Sequence, residues 1–427
     1  MRNTFKIILI LILTLSFTDL KAGTLLDSLK SAYLNNPKLN AERANVRAIN
    51  EEKEEALSEF RPSFTISGYV SEQDNTKGSE SNYKPSEQSL LIEQKIFQGF
   101  GGIANLKKQK YEYSIAKFRL QKIEQEILLA AAQVHADLLL SQKKVDINRI
   151  NVDLLERQVE TDSDRLEKGE INLSDLAQSE ASLAGAEAKL IAAQNNIVSS
   201  KANFEKIISK KPTENIQEIQ FTNFKLPQSL AESYKISENE NPDLKIAILE
   251  HEKSQQDVVI ARSDLAPSAT LSYKIAKQND FSSTVQKRTQ QTLKATATWP
   301  LYSGGSNLSS LRKAKELENK YDLLLQYSKK TTSTAVANTW TSYQSSKSVL
   351  NSIRSQVKAA EIANEGITLE YESGESNRTT LDVIQSHSIL LDAKINLATS
   401  ERNFLVSQFS LLSVVGRLTS KQLNLNQ

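Results

Sequence analysis

Three histidines, His135, His251 and His387, are the side chains of this chain best suited to proton transfer or metal binding near neutral pH. A metal site needs several such ligands at short helical spacing, as in H-E-x-x-H, or cysteine thiolates. Each histidine falls in a separate helix-like stretch, and no carboxylate spacing singles any of them out. All three read as ordinary helix residues. Cysteine is absent, which removes disulfides, Cys-ligated zinc and thiol catalysis together. The cluster Gly99-Phe100-Gly101-Gly102 is the nearest thing to a phosphate cradle, but no lysine follows in P-loop register. Neither a G-x-S-x-G elbow nor a dinucleotide fingerprint occurs. The sequence therefore points to no enzyme, no metal and no cofactor. With 53 basic and 51 acidic residues the formal net charge is +2, which gives no electrostatic case for nucleic acid.

What the chain does carry is a set of long elements. Its 427 residues are enough for two or three ordinary domains. Yet only 39% are hydrophobic, with 13 glycines and 8 prolines, so turns are few and the elements between them must be long. Mean hydropathy is −0.42, lean for a large globular core. Residues 1–22 read as a secretory signal: Arg2 and Lys6 are followed by an apolar run to Leu15, and Leu20-Lys21-Ala22 is a loose cleavage site. A permanent N-terminal anchor is the alternative there. No cysteine stands near residue 23 to carry a lipid, and no later run of about 18 apolar residues follows. The remainder is expected to be exported, either soluble or embedded in a membrane as a barrel.

An internal repeat organises the rest. Asn36-Pro37 matches Asn241-Pro242, Arg61-Pro62 matches Ala266-Pro267, Phe97-x-Gly99 matches Tyr302-x-Gly304, and Gly169-Glu170 matches Gly374-Glu375, all at an offset of 205. Asp175, Ala186, Leu190 and Asn196 match Asp382, Ala393, Leu397 and Asn403 at 207. The second copy thus carries two extra residues just after Gly374, at Ser376-Asn377. The copies are assigned to residues 23–210 and 229–416, with a linker at 211–228 and a tail at 417–427.

Each copy reads alike. A helix follows Asn-Pro and is stopped by Pro62 or Pro267. Two alternating stretches follow, expected as strands at about 62–72 and 88–98, then 267–278 and 290–302. Polar loops, QDNTKGSESNYKP and NDFSSTVQKR, are expected between them. Each strand has the length that a tilted barrel strand needs to cross a bilayer. A soluble hairpin is the alternative, but four strands with one weakly apolar face make a poor soluble core. From about 103 to 167 there is no proline or glycine, and Ala131, Leu138, Val145, Val152, Val159 and Leu166 step by sevens. The 205 offset returns that seam as Val336, Tyr343, Leu350, Val357, Asn364 and Tyr371. Such a seam calls for coiled-coil neighbours along its length. Return helices are expected at about 173–209 and 380–416. Four strands leave open edges, which lipid does not tolerate, so closure demands several chains. Three chains supply twelve strands.

The duplicated Asn-Pro, the prolines that open the strands, the junctions IFQG and LYSGG, and the segments GEINLSDLAQSEASL and RTTLDVIQSHSILLDAK together resemble the TolC-like outer-membrane efflux proteins over essentially the whole chain. The resemblance implies a fold that is mainly α with membrane β: an outer-membrane β-barrel of four strands per chain and twelve per trimer, continued by a long α-helical coiled-coil barrel. It implies a homotrimer in outer-membrane lipid, with its tunnel in the periplasm. That trimer docks on a periplasmic adaptor and an inner-membrane pump and is a passive exit duct for drug efflux or type I secretion. A soluble periplasmic coiled-coil adaptor or scaffold is the alternative, and it would not need four bilayer-length strands.

By the same resemblance the pore entrance is guarded by acidic rings. Asp382 falls at the first ring position and Gln385 stands where a second acid is expected, leaving one ring of three carboxylates. Asp382 as a first-turn acid complementing its own helix dipole is the alternative. The closed gate in such proteins is held by polar contacts between coiled helices, which map to Ser174 and Asp175 on one side and Tyr371 and Arg378 on the other. The alternative partner for Arg378 is Asp382, four residues on. The strand-helix junctions are expected at Phe97 and Gly99 in the first copy, and at Tyr302, Gly304 and Gly305 in the second. Phe100 aligns with Gly305, so the first turn is expected to use Gly99, with Gly101-Gly102 available.

Overall fold

The computed structural model describes residues 23–72, 84–213, 216, 225–282, 285–373 and 378–425. The expected signal at 1–22, most of the linker, most of the first polar loop and the insertion at Ser376-Asn377 lie outside the described residues. In order, the elements are α1 (Leu25–Asn35), α2 (Pro37–Ser58), β1 (Ser63–Val70), β2 (Ser86–Gln98), α3 (Gly101–Glu167), α4 (Leu173–Ile208), α5 (Leu230–Glu240), α6 (Pro242–Ser263), β3 (Ser268–Ser282), β4 (Val285–Thr298), α7 (Ser306–Ser373) and α8 (Thr380–Val414). The short helices α1 and α5 were not anticipated; they open the two copies at the same 205-residue offset.

Two compact units form, and each takes parts of both copies. Of the described residues, one takes those within 41–123 and 238–334, the other those within 23–40, 124–237 and 335–425. In the first unit the four strands form an antiparallel meander in the order β1-β2-β3-β4. The strands of the two copies meet where β2 pairs with β3, Leu90 opposite Ile275. A bulge between Lys95 and Phe97 offsets the register at the end of β2. The second hairpin is longer than expected. Most of NDFSSTVQKR is strand, with Asn279 opposite Lys287 and Ser282 opposite Val285. Polar side chains concealed this, because the ladder needs only backbone donors and acceptors. Conversely, Trp299 to Tyr302 lie beyond β4, which ends at Thr298. Also in this unit, Val258 and Ala261 of α6 pack on Ala314 and Leu311 of α7.

In the second unit the seams direct the packing. Ala131, Leu138, Val145 and Val152 are buried, as are Val336, Leu350, Val357 and Tyr371. Val152 and Leu155 pack on Ala186, with Leu183 and Leu190 beside them. Their repeat counterparts make the same cluster: Val357 and Ala360 pack on Ala393, with Leu390 and Leu397 beside them. Alanine at 186 and 393 lets each return helix lie close to its long helix. Near the other end of the return helix, Leu411 and Val415 pack with Ile236 of α5 and with Trp340 and Tyr343 of α7.

Candidate functional site

Both return helices start the same way. Asn172 caps α4: its Oδ1 accepts from Asp175 N (3.1 Å), and Asp175 Oδ2 accepts from Asn172 N (3.3 Å). Thr379 caps α8: its Oγ1 accepts from Asp382 N (3.3 Å), and Asp382 Oδ2 accepts from Thr379 N and Oγ1 (2.9 Å each). These are two capping boxes with an acid in the third helical position. The hydrogen bonds from the Thr379 backbone and hydroxyl hold the Asp382 carboxyl below its ordinary range, with a smaller contribution from Arg378. Ser174 is exposed on the first turn of α4 and Gln385 on the second turn of α8.

Arg378 bonds Glu370, at the end of α7, with Nε 2.7 Å from Oε2. That hydrogen bond raises the guanidinium pKa further. Within one chain, then, Arg378 is held by Glu370 and not by Asp175, and Asp382 contributes to it only as a nearby charge.

Tyr371 is where the helices are tied together. Its hydroxyl donates to Asp162 Oδ1 (3.2 Å) and accepts from Thr380 Oγ1 (2.9 Å). Asp162 is fully buried and takes two more donors, Ser179 Oγ (2.5 Å) and Gln158 Nε2 (2.9 Å). One carboxylate thus joins α3, α4 and α7, and Tyr371 passes the connection to α8. Arg165 covers the tyrosine ring at 4.7 Å from its centroid and pairs with Glu170 at 3.1 Å. Burial is the main cause that raises the Tyr371 pKa, so the phenol keeps its proton and can donate. Asp162, Ser179 and Thr380 were missed from the sequence. The available signal was a second heptad line, Ser141, Asn148, Leu155, Asp162, running beside the apolar seam. In the second copy Ser386, the repeat mate of Ser179, donates instead to Oδ1 of Asn364 (3.1 Å), which stands at the position of Val159.

The strand-helix junctions repeat at the level of the backbone. Gly304 and Gly305 have φ of 64° and 84°, and Gly99 and Phe100 have φ of 56° and 70°. The first turn therefore falls on Gly99-Phe100 and not on Gly101-Gly102, which already belong to α3. Phe100 holds a left-handed conformation unusual for its side chain, with its ring edge-on to Phe97 at 5.5 Å. Gly99 has a second constraint. A Cβ there would sit 2.6 Å from Ala266 Cβ and 2.9 Å from Ser263 O. At the second junction Trp299 Nε1 donates to Leu265 O (3.1 Å) and Asn307 Nδ2 to Asp264 O (2.7 Å).

A four-stranded sheet that can close only with other chains, joined by glycine turns to helices of 67 and 68 residues, defines a membrane barrel built on coiled coils. A family model described as outer membrane efflux protein matches residues 28–209 and 234–417, and the chain belongs to that family. The outer membrane efflux protein BepC of Brucella suis biovar 1 (strain 1330) is 25% identical over 404 residues, covering 94% of this chain and 87% of BepC. The outer membrane protein TolC of Escherichia coli (strain K12) is 24% identical over 428 residues, covering 94% and 84%. Among solved structures, the Campylobacter jejuni CmeC outer membrane channel superposes with a TM-score of 0.81 at 14% identity, covering 92% and 86%. Family membership makes the protein an outer-membrane efflux channel with a periplasmic tunnel, neither an enzyme nor a soluble scaffold.

Proposed function

We propose that three copies close a twelve-stranded barrel and form a passive exit duct that receives cargo from an inner-membrane pump through a periplasmic adaptor. The sheet carries this reading. One face presents Phe64, Ile92, Tyr273 and Leu293 in one row, and Ile66, Leu90 and Ile275 in the next. Ile66 is 84% exposed and Leu293 71% exposed in the single chain. Lipid is the solvent that such a face fits. The other face is polar, and within it Lys274 Nζ bonds Glu87 Oε1 at 2.6 Å. Among the described residues β1 and β4 each have an unpaired edge. In the duct, Asp382 forms a ring of three carboxylates at the periplasmic entrance, with Gln385 one turn behind it. The Asp162–Tyr371 connection keeps that entrance closed, supported by Ser174, Asp175 and Arg378. The test is membrane extraction followed by electrophoresis. The protein should resist carbonate washing and run as a heat-resistant trimer. Recovery of a monomer in the soluble fraction would reject the duct.

A further inference from the structure

Apart from Asp280, which sits in the irregular stretch between Asn279 and Ser282, the strand register sorts the charged side chains of the sheet onto one face or the other. On the polar face stand Lys95, Lys274, Arg288 and Lys294, against the carboxylates of Glu87 and Glu93. Four cations against two anions leave an excess of two positive charges per chain on that face. Glu87 is already committed to Lys274 at 2.6 Å and to Gln278 Nε2 at 2.7 Å. Lys95 and Lys294 are both exposed. They flank one position. Thr270 lies directly opposite Lys95 of β2 and diagonally opposite Lys294 of β4, because its Cα partners are Lys95 and Thr296; Glu93, opposite Ser272, is its other charged diagonal neighbour, so two cations and one anion surround it. Direct and diagonal neighbours on one face lie roughly 5–8 Å apart at Cβ. That is within the Debye length of about 8 Å at physiological ionic strength.

We propose that the inner wall of the barrel is an anion-attracting surface, centred on Lys95 and Lys294, that favours negatively charged solutes in the exit channel. The inference rests on the closed-barrel reading above. A closed trimer would carry this excess three times around one lumen, enclosed by a low-dielectric wall that focuses the field. Its sign is opposite to that of the Asp382 ring, so the two ends of the duct would prefer opposite charges. The effect is greatest at low salt, where the Debye length is about 30 Å at 0.01 M.

The absence of cysteine makes the test direct, since an introduced thiol is unique. In the full-length trimer in lipid vesicles, Thr270→Cys is treated with a negatively charged sulfonate methanethiosulfonate or a positively charged trimethylammonium one. The rate ratio of anion to cation reports the local potential. It should fall at least about threefold when Lys95→Gln and Lys294→Gln are added at low ionic strength. It should also decline as salt is raised to 1 M, where the Debye length is about 3 Å. A ratio unmoved by the two substitutions overturns the anion surface. Leu271→Cys, on the opposite face, separates this from failure of the barrel itself. If Leu271→Cys in lipid is as reactive as Thr270→Cys, the two faces are not lumen and lipid, and the closed-barrel reading fails.

Discussion

Asp382 stands at the start of α8 with its carboxylate already taking hydrogen bonds from Thr379. Capping and guarding a pore are compatible, because an ionised carboxylate has more acceptor capacity than two donors occupy. The depressed pKa has a direct consequence. The cap hydrogen bonds oppose the mutual repulsion of a three-carboxylate ring, so divalent-cation block should hold at neutral pH and be lost as pH falls through and below the ordinary carboxylate range near 4. Asp382→Asn, which keeps an acceptor for the cap, should weaken the block wherever the wild-type carboxyl is ionised. Single-channel recordings at several pH values check both statements, and equal block in the variant would remove the ring. His135 gives a second pH effect, on stability. It is buried, with Nδ1 2.9 Å from Ser28 Oγ and Nε2 without a partner, and burial lowers its pKa from 6.5 to about 4. The unfolded chain takes up the proton first as pH falls. Stability from the neutral ring is therefore fully present above pH 6.5 and lost as pH falls through the folded pKa. The full loss is about 3 kcal/mol. Melting of the trimer between pH 7.5 and 4.5 should show this slope, and His135→Phe should flatten it.

At the level of elements, most of the architecture was legible because the repeat and the seams are backbone-scale signals. The prolines, the sevenfold apolar spacing and the αL glycine at 169 each report one local constraint, and the second copy tests each of them again. Gly169 ends α3 as such a glycine should, with Gly169 N donating to Leu166 O and Glu170 N to Arg165 O, both 2.9 Å. Two kinds of feature were not legible. Phe100 in a left-handed turn contradicts residue preference, and only alignment with Gly305 hinted at it. Asp162 looked like one more surface acid in a charge-rich helix, although it holds the second heptad line after Leu155. Its burial depends on three donors from residues up to 209 positions away, which no local pattern reports. Those donors make the connection breakable in a measurable way. Tyr371→Phe removes the hydrogen bonds to Asp162 and Thr380, worth about 1–2 kcal/mol together. If the connection holds the entrance, that shifts the closed-to-open ratio by about tenfold. Asp162→Asn should act in the same direction, because an amide NH2 would face a donor. Higher conductance with intact trimers is the expected result. Unchanged conductance in both variants would leave Asp162 a purely structural residue.

For the whole molecule, the decisive feature is that the sheet ends in two unlike edges. β1 and β4 run in opposite directions, since the meander contains an even number of antiparallel strands. The β4 edge of one copy can therefore continue antiparallel onto the β1 edge of the next, and the contact is head-to-tail. A head-to-tail contact either closes into a ring or propagates without limit. In lipid only closure satisfies every backbone group. The chemistry of one chain thus demands a ring, and the proposed duct has three members. Cysteine pairs across the predicted seam test the number. Thr65→Cys in β1 can be combined in one chain with Lys294→Cys, Thr296→Cys or Thr298→Cys in β4, all on the polar face. Oxidation of the pair that matches the register should convert monomer through dimer to a covalent trimer on non-reducing gels and go no further. A ladder that continues past three would show an open or larger assembly. No cross-link from any of the three pairs, in protein that still resists carbonate washing, would show that the β1 and β4 edges are not each other's partners.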